Sequence, residues 1–408
     1  MSENNVSERK KENTNSYRRE PQLRFKEFNK LWVLKRLNDI SYIYDGTHQT
    51  PHYMKNGVKF LSVENINNFS DTKKYISNEV YENEYKIKPI VNDIFMTRIG
   101  NIGTSNILLN DEKFAFYVSL ALIRVNNNIN AEFINQYIKF ENFQKELHKK
   151  TLHVAFPKKI NLNEIGKCLI NIPSFEEQGK IAKFLTFVDE KIELLEKTLK
   201  LLKTYKKGIM QQIFSQKIRF KDKNDENYLE WEEKQLGELF DERNEKGNEN
   251  LELLSVTLNH GVIKRNEIES KNNKHKNEYK RVLPGDIPYN SMRMWQGASG
   301  MSEHDGVVSP AYTVLIPSKG ISPRFFAYYF KQDFIIYQFK KYSQGLTSDT
   351  WNLKYPLISQ IKINFPPLKE QEKIACLLLR IDEKIEMIAK KIEVNKEFKQ
   401  GLIQKMFC

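Results

Sequence analysis

Arginine, asparagine and glutamine on glycine-flanked loops are the side chains best suited to reading nucleobase edges. A guanidinium meets the two acceptors of guanine at once, and an amide meets adenine in the same bidentate way. The chain carries several such loops. DGTHQTPHY (45–53) presents Thr47, His48 and Gln49, and MTRIGNIG (96–103) presents Arg98 and Asn101. Further along, VIKRNE (262–267) presents Lys264 and Arg265, and KNNKHKNEYKR (271–281) presents Lys274, Lys276 and Arg281. NSMRMWQG (290–297) adds Asn290, Arg293, Trp295 and Gln296. The lysines suit phosphate rather than base edges. Each of these residues is a candidate nucleic-acid contact, set against the plainer reading of an exposed polar loop. Trp295 and Tyr42 are at least as well suited to core packing.

The overall charge agrees with a polyanionic partner: 65 Lys and Arg against 52 Asp and Glu leave +13. A membrane is a poorer fit, because the best apolar run, Phe114 to Ile123, is about half the ~20 residues needed to span and contains Ser119. Residues 1–20 have no apolar segment and read as a charged, disordered leader rather than a signal peptide. Three scattered cysteines, Cys168, Cys376 and Cys408, make neither a disulfide framework nor a zinc site, which points to a reducing, cytoplasmic setting. Packing roles are expected for Cys168 and Cys376.

Catalytic constellations are missing from the sequence. There is no Walker loop, no HExxH, no Cys-x-x-Cys and no Gly-x-Ser-x-Gly. NFPPL at Asn364 superficially resembles the Asn-Pro-Pro-aromatic loop of amino-methyltransferases, but Phe365 breaks its spacing. GNIG (100–103) is open to two readings, a phosphate or KH-type clamp and an ordinary turn between strands. His48 and His52 share a helical spacing, yet Pro51 between them argues for a loop and against a metal site.

The elements that must hold these loops show themselves by repetition. Residues 171–215 recur without a gap as 364–408, an offset of 193 with 19 of 45 positions identical. Within each copy, apolar residues fall at steps of four and three. Ile181, Leu185, Val188, Ile192, Leu195, Leu199 and Leu202 mark the first seam, and Ile374, Leu378, Ile381, Ile385, Ile388 and Ile392 the second. That period predicts two long coiled-coil helices, starting near Glu176 and Lys369 after prolines. Asn395 takes the seam position of Leu202 and reads either as a register-fixing polar residue or as part of a frayed last turn. Six lysines and no acid between Lys197 and Lys217 make the later half of the first helix basic.

The segments between are α/β in texture and echo one another. Asp93-Ile94 and Asp286-Ile287 keep the offset, as do Leu122-Ile123 and Leu315-Ile316, and Arg24-Phe25 with Trp32 is echoed by Arg219-Phe220 with Trp231. VKFLSV (58–63) and ALIRV (121–125) read as strands. Glu132–Phe143 and Pro323–Phe334 read as short aromatic helices. The expected fold is therefore α/β, with two α/β domains separated and connected by two long helices and related by an internal pseudo-two-fold. Expected divisions are a leader over 1–20, a first domain over 21–173, a first helical spacer over 174–217, a second domain over 218–366 and a second spacer over 367–408.

Two copies of Asn-x-Pro-x-x-x-Glu-Gln leading into Asp-Glu-Lys-Ile, with RF…W openers and two variable α/β units, resemble the specificity subunit of type I restriction-modification systems. The sharpest parts are IPSFEEQGKIAKFLTFVDEKI, PPLKEQEKIACLLLRIDEKI and the stretch from Asn290 to Tyr312. The resemblance implies two target-recognition domains on double-stranded DNA, with long antiparallel coiled-coil helices that space them and dock two methyltransferase subunits. Restriction subunits would join through that complex. It implies no active site and no cofactor on this chain, with S-adenosylmethionine, ATP and magnesium used by the partners for adenine-N6 methylation and cleavage. Helices of about 40 residues reach roughly 60 Å at ~1.5 Å per residue. At ~3.4 Å per base pair that is about a turn and a half of duplex, so an unread gap set by helix length is expected. The rival readings are a coiled-coil scaffold indifferent to DNA sequence and a fused methyltransferase or nuclease.

Overall fold

The computed structural model describes residues 20–247, 250–258, 260–265 and 278–408. The leader before Glu20 and the candidates Lys274 and Lys276 lie outside the described residues.

Two helices dominate, Phe175–Phe214 with 40 residues and Leu368–Met406 with 39, each beginning one residue ahead of the expected start. Prolines 173, 366 and 367 stop the preceding strands from continuing. Ser174 accepts from the backbone N–H of Glu177, and Glu176 and Glu177 place negative charge on the first turn of the first helix.

The chain forms two compact units. One holds the described residues up to Lys197 together with Ala389–Cys408, and the other holds Thr198–Ile388. These units differ from the expected division into heads and separate spacers, because each takes in part of both helices. The physical reason is the breadth of the apolar helix faces. Ile181, Leu185, Val188 and Ile192 are buried in one core with Trp32, Phe133 and Tyr137 as well as with Leu402, Ile403, Met406 and Phe407. In the second unit Ile374, Leu378 and Ile381 share a core with Phe325, Tyr329, Ile213 and Phe214, and Ile385 packs at its edge. Ile388 and Ile392 are buried, whereas Leu195, Leu199 and Leu202 are only half-buried. The seam is thus a bundle contact with an α/β layer rather than a bare two-helix stripe. Asn395 donates to the carbonyl of Lys391 in its own helix at 2.7 Å and does neither thing expected of it.

Within each unit the two helix segments run antiparallel, and an equivalent ion pair joins them in both. Lys399 meets Asp189 at 2.5 Å in the first unit, and Lys206 meets Asp382 at 2.5 Å in the second. These residues are exact equivalents under the 193-residue offset. Asp189 also accepts from Gln136, and Asp382 from Tyr328, each at 2.8 Å, so the pair is tied to the short aromatic helices.

The α/β part of the first unit is a sheet of Ser41–Asp45, Leu120–Val125, Ile94–Thr97 and Ser105–Ile107, all antiparallel in that order. Ile94, Met96, Ala121 and Ile123 face the helices. Phe95, Leu120 and Leu122 face a smaller sheet of Tyr75–Ile76, Val58–Leu61 and Phe114–Phe116. Burial on both faces explains why Phe114 to Ile123 reads as nearly continuous apolar sequence: it is two strands and a turn. The second unit repeats the plan. Phe240–Glu242, Tyr312–Pro317 and Ile287–Asn290 form one sheet, and Gly261–Lys264, Glu252–Thr257, Gly306–Val308 and Lys280–Val282 form another. A two-stranded antiparallel ribbon ties the start of each unit to the strand before its helix, Val33–Arg36 with Leu169–Ile172 and Glu232–Gln235 with Lys362–Phe365. Each expected aromatic helix is divided in two, Ala131–Ile138 with Glu141–Lys149 and Pro323–Tyr329 with Asp333–Tyr342. Cys168 is buried as expected; Cys376 is exposed on its helix and has no packing role.

The repeated Glu-Gln pairs fasten helix to sheet. Arg24 grips Glu177 through two bonds of 2.8 Å, and the Trp32 indole N–H donates to the same carboxylate at 3.3 Å. Arg219 holds Glu370 in the same way at 3.0 and 3.4 Å. Each carboxylate raises the pKa of its arginine. Gln178 accepts from Asn130 N–H and donates to the Pro173 carbonyl; Gln371 accepts from Ser322 N–H and donates to the Pro366 carbonyl.

Glu177→Ala leaves a half-buried guanidinium and a buried indole N–H without their acceptor, and is expected to destabilise the first unit by about 3 kcal/mol. A urea melt followed by a probe in each unit checks this: the first unit should unfold earlier and the second should not move.

Candidate nucleic-acid interface

In the first unit the strands Ile94–Thr97 and Ser105–Ile107 are joined by the turn that carries Arg98 and Asn101. Gly100 and Gly103 sit at φ of 82° and 92°, a left-handed backbone that glycine adopts without a steric penalty. Thr97 closes the turn, accepting from Gly103 N–H at 3.0 Å and donating its hydroxyl to the Asn101 carbonyl. GNIG is therefore a hairpin connection, the plainer of its two readings. Asn101 is exposed at the tip, its amide 3.3 Å from the Thr104 hydroxyl.

Behind the turn stands a second loop, closed where Leu152 N–H donates to the Lys159 carbonyl at 2.8 Å. It is fastened to the turn by Gly100 N–H on the Lys158 carbonyl at 2.8 Å and Ile160 N–H on the Arg98 carbonyl at 3.0 Å. The loop 45–53 joins them from the other side. Thr47 exchanges backbone bonds with Phe116 and Val118, and a Cβ on Gly46 would lie 2.5 Å from the Tyr117 carbonyl carbon.

Arg98 does not reach solvent as a base reader would. Its guanidinium is buried, pairs with Asp45 at 2.6 Å and donates to the Ile160 carbonyl at 3.2 Å. It locks the loop 45–53 to the turn, and this is a correction to its expected role. His48 is exposed with its ring nitrogen 2.9 Å from Asp45, Gln49 is exposed and Thr47 is half-buried. Tyr42, expected to suit a core, is exposed and stacks on Tyr44. Among the described residues, no group of three His, Cys, Asp or Glu side chains is placed to hold a metal ion, and no helix is long and apolar enough to cross a membrane.

The second unit builds the same turn from different residues. Asn290 N–H donates to Ala298, Gln296 N–H to Arg293, and Gly297 takes φ of 83°. Asn290 spends its side-chain oxygen on Met292 N–H at 3.0 Å, so it shapes the turn rather than reading a base. Arg293 stands exposed at the tip, and among the described residues no acceptor is within bonding distance of its guanidinium. Gln296 is half-buried beside it. Trp295 is half-buried, donates to the Met292 carbonyl and packs edge-on against Trp351 with centroids 5.2 Å apart. Lys340 lies over the other ring of that pair, 5.3 Å from the Trp351 centroid. A backing loop is again present: Gln344 and Asn352 exchange backbone bonds at 2.7 and 3.0 Å, and Leu353 N–H donates to the Ser291 carbonyl at 2.9 Å.

Lys264 ends the strand Gly261–Lys264 and meets Glu252 at 2.6 Å on the surface, and Arg265 follows it exposed. Arg281 is less available than its sequence suggests. It bridges Glu245 at 2.7 Å and Asp305 at 3.1 Å, and those carboxylates raise its pKa while offsetting its charge. Trp351, Lys340 and the two backing loops were not legible as part of the site. Nothing in HVAFPKK or QGLTSD distinguishes an exposed apolar residue from a core one.

Two α/β heads of one plan, each offering a glycine-shaped hairpin and a basic flank, on a pair of long antiparallel helix segments, define a class of two-headed nucleic-acid readers. The model of the type I restriction modification DNA specificity domain matches the chain twice, over residues 29–204 and 228–396. The chain belongs to that family, as a DNA sequence-specificity subunit of a type I restriction-modification system. It is 24% identical over 399 residues to the provisionally assigned specificity subunit of the type I restriction enzyme MjaX of Methanocaldococcus jannaschii, covering 91% of this chain and 92% of that one. The solved S subunit of a type I system from M. genitalium shares the fold with a TM-score of 0.60 at 16% identity, covering 95% of this chain and 99% of that one. A chain from a structural study of type I assembly and conformational transition matches with a TM-score of 0.51 at 15% identity, covering 92% and 97%.

The two arginines should separate cleanly in their effect on stability. Arg98→Ala removes the part-buried ion pair with Asp45 and leaves the Ile160 carbonyl without the guanidinium, and should lower the melting temperature by several degrees, whereas Arg293→Ala should leave it within about a degree because its side chain is exposed. Differential scanning calorimetry of both variants makes the comparison.

Proposed function

We propose that each unit reads one half of an interrupted double-stranded DNA site and that the helices set the unread gap. The observation that carries this is the repetition of one turn-and-backing-loop plan, 193 residues apart, with different side chains at its tip in each copy. A shared scaffold with changed tips suits two different short sequences. In the first unit the exposed candidates are Gln49, His48 and Asn101; in the second they are Arg293, Gln296, Lys264 and Arg265. Specificity comes from amide and guanidinium groups at base edges, and affinity from lysines at phosphates.

The helices also carry a second, outward stripe. Phe187, Leu194, Leu201 and Tyr205 are exposed along the first, and Met387, Val394 and Phe398 along the second at equivalent positions. A repeated exposed apolar stripe supports the docking of two methyltransferase subunits, one for each copy, with restriction subunits joining through them. On this reading adenine-N6 methylation, with S-adenosylmethionine, and cleavage, with ATP and magnesium, belong to those partners, and the complex acts on DNA in the cytoplasm.

Arg293→Ala should cost about 1 to 3 kcal/mol on the cognate second half-site if its contact is bidentate. Equal loss on cognate and random duplex in a titration would place the contact on the backbone instead. Matched one-heptad insertions after Leu195 and Ile388 lengthen both helices by about 10 Å, or roughly three base pairs. Mapping methylated adenines in cells carrying the lengthened chain should show a gap wider by that amount; an unchanged gap removes the ruler.

A further inference from the structure

The loops that back the two turns expose apolar side chains at their tips. Val154 and Phe156 in the first unit and Leu346 in the second are fully exposed. Water-facing phenylalanine or leucine at the tip of a loop closed by its own backbone bonds serves no packing purpose. The loops occupy equivalent places in the two units although HVAFPKK and QGLTSD share no side-chain pattern. Each is hydrogen-bonded to the turn offering the candidate base readers, through Lys158 and Ile160 in one unit and Leu353 in the other.

The charge around the tips narrows what they meet. His148, Lys149, Lys150, His153, Lys158 and Lys159 flank the first along the chain, with Glu146 paired to Lys149 and Lys150 and Glu164 also near Lys150. Lys340, Lys341 and Lys354 lie before and after the second loop, which itself contains Asp349. A cationic rim about one or two apolar side chains is too small for a protein interface, which needs several hundred Å² on each partner. It matches the width of a base step flanked by phosphates, where inserted Phe or Leu side chains unstack neighbouring pairs.

We propose that Phe156 and Leu346 are wedges, entering the duplex between adjacent base pairs beside the bases each unit reads. This rests on the DNA-reading function above. The unstacked step should be of the deformable pyrimidine–purine kind, so part of each half-site's sequence preference arises at a position without a polar contact.

The test uses the purified full chain, without methyltransferase partners, on a duplex bearing its methylation site. 2-Aminopurine is placed at each position of the two half-sites in turn. The expected result is a several-fold rise in fluorescence at one step per half-site on binding. Phe156→Ala should abolish the rise in the first half-site and weaken binding about tenfold, Phe156→Leu should retain most of both, and Leu346→Ala should act on the second half-site alone. Melting temperatures should match the unsubstituted chain, because the tips are free of internal contacts. Site-specific binding with no fluorescence response, or a response that survives Phe156→Ala, overturns the wedge while leaving DNA reading intact. Loss of preference for the site in the unsubstituted chain overturns the reading of DNA and the wedge with it.

Discussion

Each unit's core is completed by helix residues from two distant parts of the sequence, and the rest of the structure depends on that shared burial. Ile181 to Ile192 need Leu402 to Phe407 beside them, and Ile374 to Ile385 need Ile213 and Phe214. Aromatic contacts finish the arrangement: Phe407 meets Tyr137 with centroids 5.0 Å apart, and Phe214 meets Tyr329 at 5.5 Å. Each helix is packed against an α/β layer along part of its length and is not a solvated two-helix stripe.

The sequence signature that identifies the family turns out to be internal joinery. Glu177 and Glu370 hold the opening arginines, Gln178 and Gln371 bridge two backbone segments, and Asp189 and Asp382 receive a lysine from the antiparallel partner. All are the same in both copies because both copies solve one packing problem. The hairpin tips and backing loops share no such set of side chains, and several of their tip residues, Asn101, Arg293, Phe156 and Leu346 among them, are exposed. Resemblance therefore reports the scaffold and says little about which bases are read.

The same division explains what could be read in advance. Long helices, their starts and their seam follow from a 3.6-residue period and proline, signals that are local and strong. Strands such as Leu120–Val125 followed from apolar runs. The candidate interface was legible only as a set of loops. Arg98 carried suitable chemistry, but its guanidinium turns inward to Asp45, a partner that only the folded backbone brings near, while Asn290 accepts from Met292 N–H within its own turn. The carboxylates that offset the charge of Arg281 were hidden for a related reason, since Asp305 reaches it from 24 residues further along the chain. The apolar tips were invisible because hydrophobic sequence is expected to be inside.

The split composition of the first unit has an outcome for synthesis. Its sheets and first helix leave the ribosome early, yet Leu402 to Phe407 of its core follow roughly 190 residues later. The second unit is one continuous stretch and is translated in full before that segment appears. The core of the first unit is thus completed only after the second unit has been made in full. A nonsense codon in the second helix ahead of Leu402 would spare the candidate loops of both units and still remove Leu402 to Phe407 from the first unit's core.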